Sequence, residues 1–257
     1  MSGAAFQTAL ANLIRFPMES LDHILGRLES CPLSEREKNR LVVMADDPLV
    51  RKYAEKMRIL RQRDATQIMR LSKPFIEKRA LDTMYQDYFE PTRGACDLTQ
   101  IGVIFLEFLL NTSKCMQLVK EGPPFLEDLL RYDYTKSLIE RSVLIEEDPS
   151  LPEGSLLYHN AFSILKLGFD APTLDKKVND GSAESGTPPD AKSMTVIIMR
   201  SIEHPFVRVF EIDAEIENFI LAQRNNPLSW TSPLPAVYSN MVGVGFCRAR
   251  KGGTGNG

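Results

Sequence analysis

Two runs near the C-terminus decide the fold of this chain: Thr195-Val-Ile-Ile-Met-Arg200 and Phe206-Val-Arg-Val-Phe-Glu-Ile-Asp-Ala-Glu-Ile-Glu-Asn-Phe-Ile220. Both open with β-branched and aromatic residues, which fit a pleated, half-buried surface. The second passes straight into a helical pattern, with Asp213 placed to cap it and Ile216, Phe219 and Ile220 at helical spacing. A small sheet backed by helices is predicted. Alternation along the strand puts Phe206, Arg208 and Phe210 on one face and Val207 and Val209 on the other. With apolar residues on both faces, one face packs on the core and the other meets a helix or a ligand. The strand is then either central and fully paired, or an edge that accepts an extended peptide as an added strand. On the edge reading these five residues form a peptide groove with Ile216, Glu217, Phe219 and Ile220. Glu217 there faces a basic peptide residue.

Composition narrows the class. A chain of 257 residues with 43% hydrophobic and 25% charged content has enough apolar surface for a core of ordinary size. A net charge of -3 gives no overall pull toward nucleic acid or an anionic membrane. Cys31, Cys96, Cys115 and Cys247 are widely spaced, without a CxxC pair, and read as reduced thiols. The longest apolar run, Val103 to Leu110, is broken by Glu107 and too short to span a bilayer. Met1-Ser-Gly-Ala-Ala-Phe6 lacks the pattern of a signal peptide. A soluble, cytoplasmic protein is the expectation.

Upstream of the two strands the pattern is helical. Ser34-Glu-Arg-Glu37 is a capping box, and Pro48 suits the first turn of a following helix. From Leu49 to Arg79 there are ten Lys or Arg against three acids, read as one long basic helix with Tyr53, Met57, Leu60, Ile68 and Leu71 toward the core. Its cations are either a solvated face or a dock for an acidic partner, with Arg58, Arg61 and Arg63 as the docking residues. The composition turns to Glu, Pro and Gly near residue 150. Residues 1–150 are therefore predicted as a helical partner-docking domain and 151–250 as a small α+β domain. Inside the latter, 175–193 has almost no apolar side chains and reads as a flexible loop; 251–257 reads as a disordered tail.

No catalytic or metal constellation emerges. His23, His159 and His204 belong to no ligand-spaced pattern, and neither a phosphate loop nor a nucleophile elbow occurs. Asp133 between Tyr132 and Tyr134 reads as a buried acid that specifies no reaction by itself.

The order of segments resembles a known family. Its members are accessory subunits that work beside multinuclear non-haem iron oxygenases in making ribosomal peptide natural products, such as the partner proteins of the methanobactin and 3-thiaglutamate pathways. The matching stretches are Leu33-Ser-Glu-Arg-Glu37, Val50-Arg-Lys-Tyr-Ala54 through Ile59-Leu-Arg-Gln-Arg63, Asp128-Leu-Leu-Arg-Tyr-Asp133, Ile164-Leu-Lys-Leu167, Ile197-Ile-Met-Arg200 and Val207-Arg-Val-Phe210. The resemblance implies a helical platform followed by a winged-helix-like peptide-recognition element. It also implies no catalytic residue and no cofactor in this chain, with iron held by the oxygenase partner in a heterodimer. The subunit would bind the leader of a precursor peptide so that the partner oxidises a cysteine in it. The main rival is a DNA-binding winged-helix regulator. Its recognition helix would be the one after Asp213, where Asp213, Glu215 and Glu217 repel phosphate. An enzyme in its own right would need a constellation the sequence does not present.

Overall fold

The computed structural model describes residues 6–7, 9–11, 33–88, 101–142, 156–158, 162–200, 206–225 and 247–249. All three histidines and the tail 251–257 lie outside them. The fold is α+β, a helical N-terminal part followed by a small antiparallel sheet. The chain forms two compact units: Met1–Met69 with Ile76–Leu118, and Arg70–Phe75 with Val119–Gly257. The division falls well before residue 150, because a helix at 126–141 packs on the sheet.

The first unit carries helices α1 (Glu35–Asp46), α2 (Pro48–Gln67), α3 (Lys78–Tyr88), α4 (Ile101–Asn111) and most of α5 (Ser113–Lys120). The capping box of α1 is complete: the Ser34 hydroxyl accepts from the Glu37 amide, and the Glu37 carboxylate accepts from the Ser34 amide at 2.9 Å. Asp47 caps α2 by accepting from the Leu49 amide at 2.7 Å, and Pro48 fills the first turn, where no amide donor is needed. Helix α4 is the buried centre, with Phe105, Leu106 and Leu109 fully covered. Tyr88 meets Phe105 edge-on with centroids 5.2 Å apart. Gly102 lets α4 approach Ile68, since a Cβ there would sit 2.9 Å from the Ile68 Cδ1. Helix α2 buries Ala54 and Ala65, small residues suited to close approach, while Tyr53, expected in the core, is 52% exposed.

The single basic helix expected from Leu49 to Arg79 is two helices. α2 ends at Gln67, a 3-10 turn occupies Lys73–Phe75, and α3 begins at Lys78. Pro74 has no amide to donate. The Leu71 and Ser72 amides instead donate to the Asp133 carboxylate, at 3.2 and 3.0 Å to Oδ2.

The second unit contains α6 (Leu126–Arg141), β1 (Leu156–Tyr158), β2 (Phe162–Phe169), α7 (Ala171–Asn179), β3 (Ala191–Arg200), β4 (Val207–Ile212), α8 (Ala214–Asn225) and β5 (Cys247–Ala249). β1 and β5 pair as a separate antiparallel ribbon, and the main sheet has the order β2-β3-β4. Cross-strand pairing places Leu165, Val196 and Glu211 in one row and Ser163, Ile198 and Val209 in another, on the same face. That face forms the core with Leu129, Tyr132 and Ile139 of α6 and Leu174 of α7.

The stretch 175–193, expected as a flexible loop, is a loop over 180–190 and joins regular elements at both ends. Residues 175–179 finish α7 and 191–193 open β3. Asp170 caps α7 by accepting from the Thr173 amide, and Ala171 and Leu174 are buried, which offsets the entropy of ordering the segment. Between the two elements the chain turns through Gly181 and Gly186, at φ of 76° and 99°, values that favour glycine.

Candidate functional site

Strand β4 has β3 on one side, and among the described residues no strand pairs with its other side. Val207 and Val209 pack against the core formed with α6 and α7. Arg208 and Phe210 stand on the opposite face, in the same rows as Met199 and Ile197 of β3. Both are half-buried. Phe206 lies just before the strand and is 66% exposed. Of the sequence-predicted residues 206–210, Val207 to Phe210 lie along this strand with the alternation as read, and Phe206 precedes it.

The second face is closed more tightly than a ligand groove requires. Ile197 and Met199 are 3% and 1% exposed, and Ile220 of α8 is 1% exposed. Helix α8 begins where Asp213 accepts from the Ile216 amide at 2.8 Å. Ile216 is half-buried, and the Phe219 side chain lies outside the described residues. Glu217 pairs with Lys166 of β2 at 2.9 Å, its side chain only 16% exposed. Glu217, read as facing a basic peptide residue, here meets a cation of its own chain 51 positions earlier. Within β4, Glu211 pairs with Lys192 of β3 at 2.7 Å, a bond that raises the Lys192 pKa.

A second polar constellation lies beneath the first face. The Asp133 carboxylate accepts from the Leu71 amide, the Ser72 amide and, at 2.7 Å, the Ser72 hydroxyl. Burial pushes its pKa up to about 7, although these hydrogen bonds pull the other way. Asp175 accepts from the Tyr132 hydroxyl at 3.1 Å, from Lys136 at 2.6 Å and from the Asn179 amide group at 3.1 Å. Burial first, and then the Asp175 charge, hold the Tyr132 phenol well above its usual range, so it stays protonated and donates. The lone pairs of both carboxylates are spent on the chain's own donors. This is a structural network; Asp175 was hidden in the supposed loop, and no local spacing relates it to Tyr132 or Lys136.

Arg63 is exposed, Arg61 is half-buried, and the Arg58 side chain lies outside the described residues. Elsewhere in the first unit, Arg36, Asn39, Arg40, Val43 and Met44 line a shallow surface depression. Among the described residues no group of three His, Cys, Asp or Glu side chains converges to hold a metal ion. Among them, too, no single helix is long and apolar enough to cross a membrane. α4 and α5 reach that length together but bend by 80°. No protein-family model matches the sequence, and no curated protein matches it.

Proposed function

We propose that this chain is a non-catalytic accessory subunit that holds the leader segment of a precursor peptide along β4. A cytoplasmic, multinuclear iron oxygenase bound to it as a heterodimer then oxidises a cysteine of that peptide. The observation that carries this reading is the position of β4, whose outer side has no partner strand among the described residues. An outer strand offers backbone donors and acceptors in a fixed row, enough to bind an extended peptide with little demand on its sequence. Arg208 and the exposed Phe206 stand where they can give that row side-chain selectivity. The rival reading as a DNA-binding winged helix is disfavoured by the first turn of α8, where Glu215 and Glu217 follow the Asp213 cap.

Successive residues of a strand aim their amides to opposite sides, so Arg208→Pro and Val209→Pro separate the two edges of β4. One variant removes a ladder bond to β3 and disrupts the sheet. The other leaves the circular dichroism spectrum intact and removes a donor to the peptide. The folded variant of the pair should bind a cysteine-bearing precursor peptide with its leader at least about tenfold more weakly, the effect of losing a hydrogen bond whose partner stays buried. Undiminished binding by a folded variant would place the peptide elsewhere.

A further inference from the structure

Helix α2 presents an outward face with an unusual mixture. Leu49, Lys52, Tyr53, Lys56, Ile59 and Arg63 recur at steps of one, three or four residues, which lines them up on one side of a helix. The opposite side holds the buried Ala54 and Ala65. Three of the six are large and apolar, with Leu49 74% exposed, Tyr53 52% and Ile59 54%. The other three are cations, and no acid lies within the stripe. Asp64, at its margin, is 3.8 Å from Arg63.

We infer that this face of α2 docks a partner protein whose surface combines apolar side chains with Asp and Glu. Exposed apolar residues in a continuous row mark interaction surfaces, and anchors at helical spacing are the pattern by which a helix is gripped. Lys52 and Lys56, which have no ion pair among the described residues, call for an acidic occupant. A second copy of the same face would set like charges against one another. Nucleic acid would leave Leu49, Tyr53 and Ile59 without a role. A membrane-surface helix separates its cations from its apolar face, whereas here both share one side. The inference rests on the accessory reading only in requiring a partner protein; β4 takes no part in it.

The test uses the full chain and four fluorescent or light-scattering probes at low salt. These are a synthetic amphipathic helix with Leu anchors flanked by Glu, the same helix with Lys for Glu, a short DNA duplex, and phosphatidylglycerol vesicles. The acidic helix should bind best. Lys52→Glu with Lys56→Glu should weaken it about tenfold or more at low salt and less at high salt, where screening removes the difference. Leu49→Ala with Tyr53→Ala should weaken it about tenfold with little salt dependence. Should the charge reversal disturb folding, Lys52→Gln with Lys56→Gln repeats the measurement without placing acids side by side. Binding of the basic helix, the duplex or the vesicles in preference to the acidic helix overturns the inference, as does unchanged binding by folded variants. Precursor-peptide binding in the same samples should be indifferent to every α2 substitution. Its absence alongside intact acidic-helix binding counts against the accessory reading alone.

Discussion

Helices α2 and α6, the longest among the described residues, place their charges in opposite ways. α2 sends Lys52, Lys56 and Arg63 into solvent beside exposed apolar residues and buries alanines. α6 turns Asp133 inward and aims Tyr132 and Lys136 at Asp175, where each polar group meets a fixed partner. The charge content of a helix therefore says little about what the charges do. A cation in water can be exchanged at almost no cost to the fold, whereas a buried carboxylate is bound up with every donor that faces it.

The largest effect that tests this contrast is on pH dependence. From 3.8 to about 7 the folded state keeps a proton on Asp133 that the unfolded chain has released. Stability contributed by this group is complete below that window and is lost as pH rises through it, by on the order of 4 kcal/mol. Asp133→Asn has no proton to release, so its urea-unfolding free energy should follow a flatter profile between those limits than the wild type. Superimposable profiles would mean that Asp133 is not held as a buried acid. Next in size is Asp175→Ala, which leaves the Lys136 ammonium and the Tyr132 hydroxyl without their acceptor. Breaking a largely buried pair of this kind should cost about 3 kcal/mol in equilibrium unfolding. A loss under about 1 kcal/mol would show that the 175–179 turns are loosely held. The smallest effect belongs to α2, where Lys52→Ala and Lys56→Ala should each change stability by less than about 0.5 kcal/mol. A larger change would mean that the stripe is part of the fold after all.

Much of the α+β plan was legible because it is written in local signals. The Ser34 to Glu37 box and Pro48 act within a few residues and are found where they were read, as is the alternation from Val207 to Phe210. What escaped depends on distant partners. α2 stops at Gln67 because the Leu71 and Ser72 amides are taken by a carboxylate more than 60 positions later. α7 forms in a stretch of low apolar content because Leu174 and Asp175 are buried against α6, whose Tyr132 and Lys136 come 39 to 43 positions earlier. For the candidate site, the outer-strand residues were legible and the engagement of Glu217 by Lys166 was not, since ion pairs across a sheet have no sequence period. The exposed stripe of α2 was readable from its spacing. Tyr53 was assigned to the core in one stripe with Met57 and Leu60, whereas it stands outside with Lys52 and Lys56.

The short insertion of Arg70–Phe75 into the second unit has a consequence for how the chain can be cut and made. The backbone passes between the two units three times, after residues 69, 75 and 118. A protease nick at 118 would leave the units still tied together through 70–75, so one cleavage cannot release either of them whole. During synthesis Leu71 and Ser72 leave the ribosome some 60 residues before Asp133. Their amides must wait, hydrated, until α6 emerges to receive them. Expressing 119–257 alone would leave Asp133 buried without the donors that surround it. The six residues that complete the second unit have to be supplied along with it.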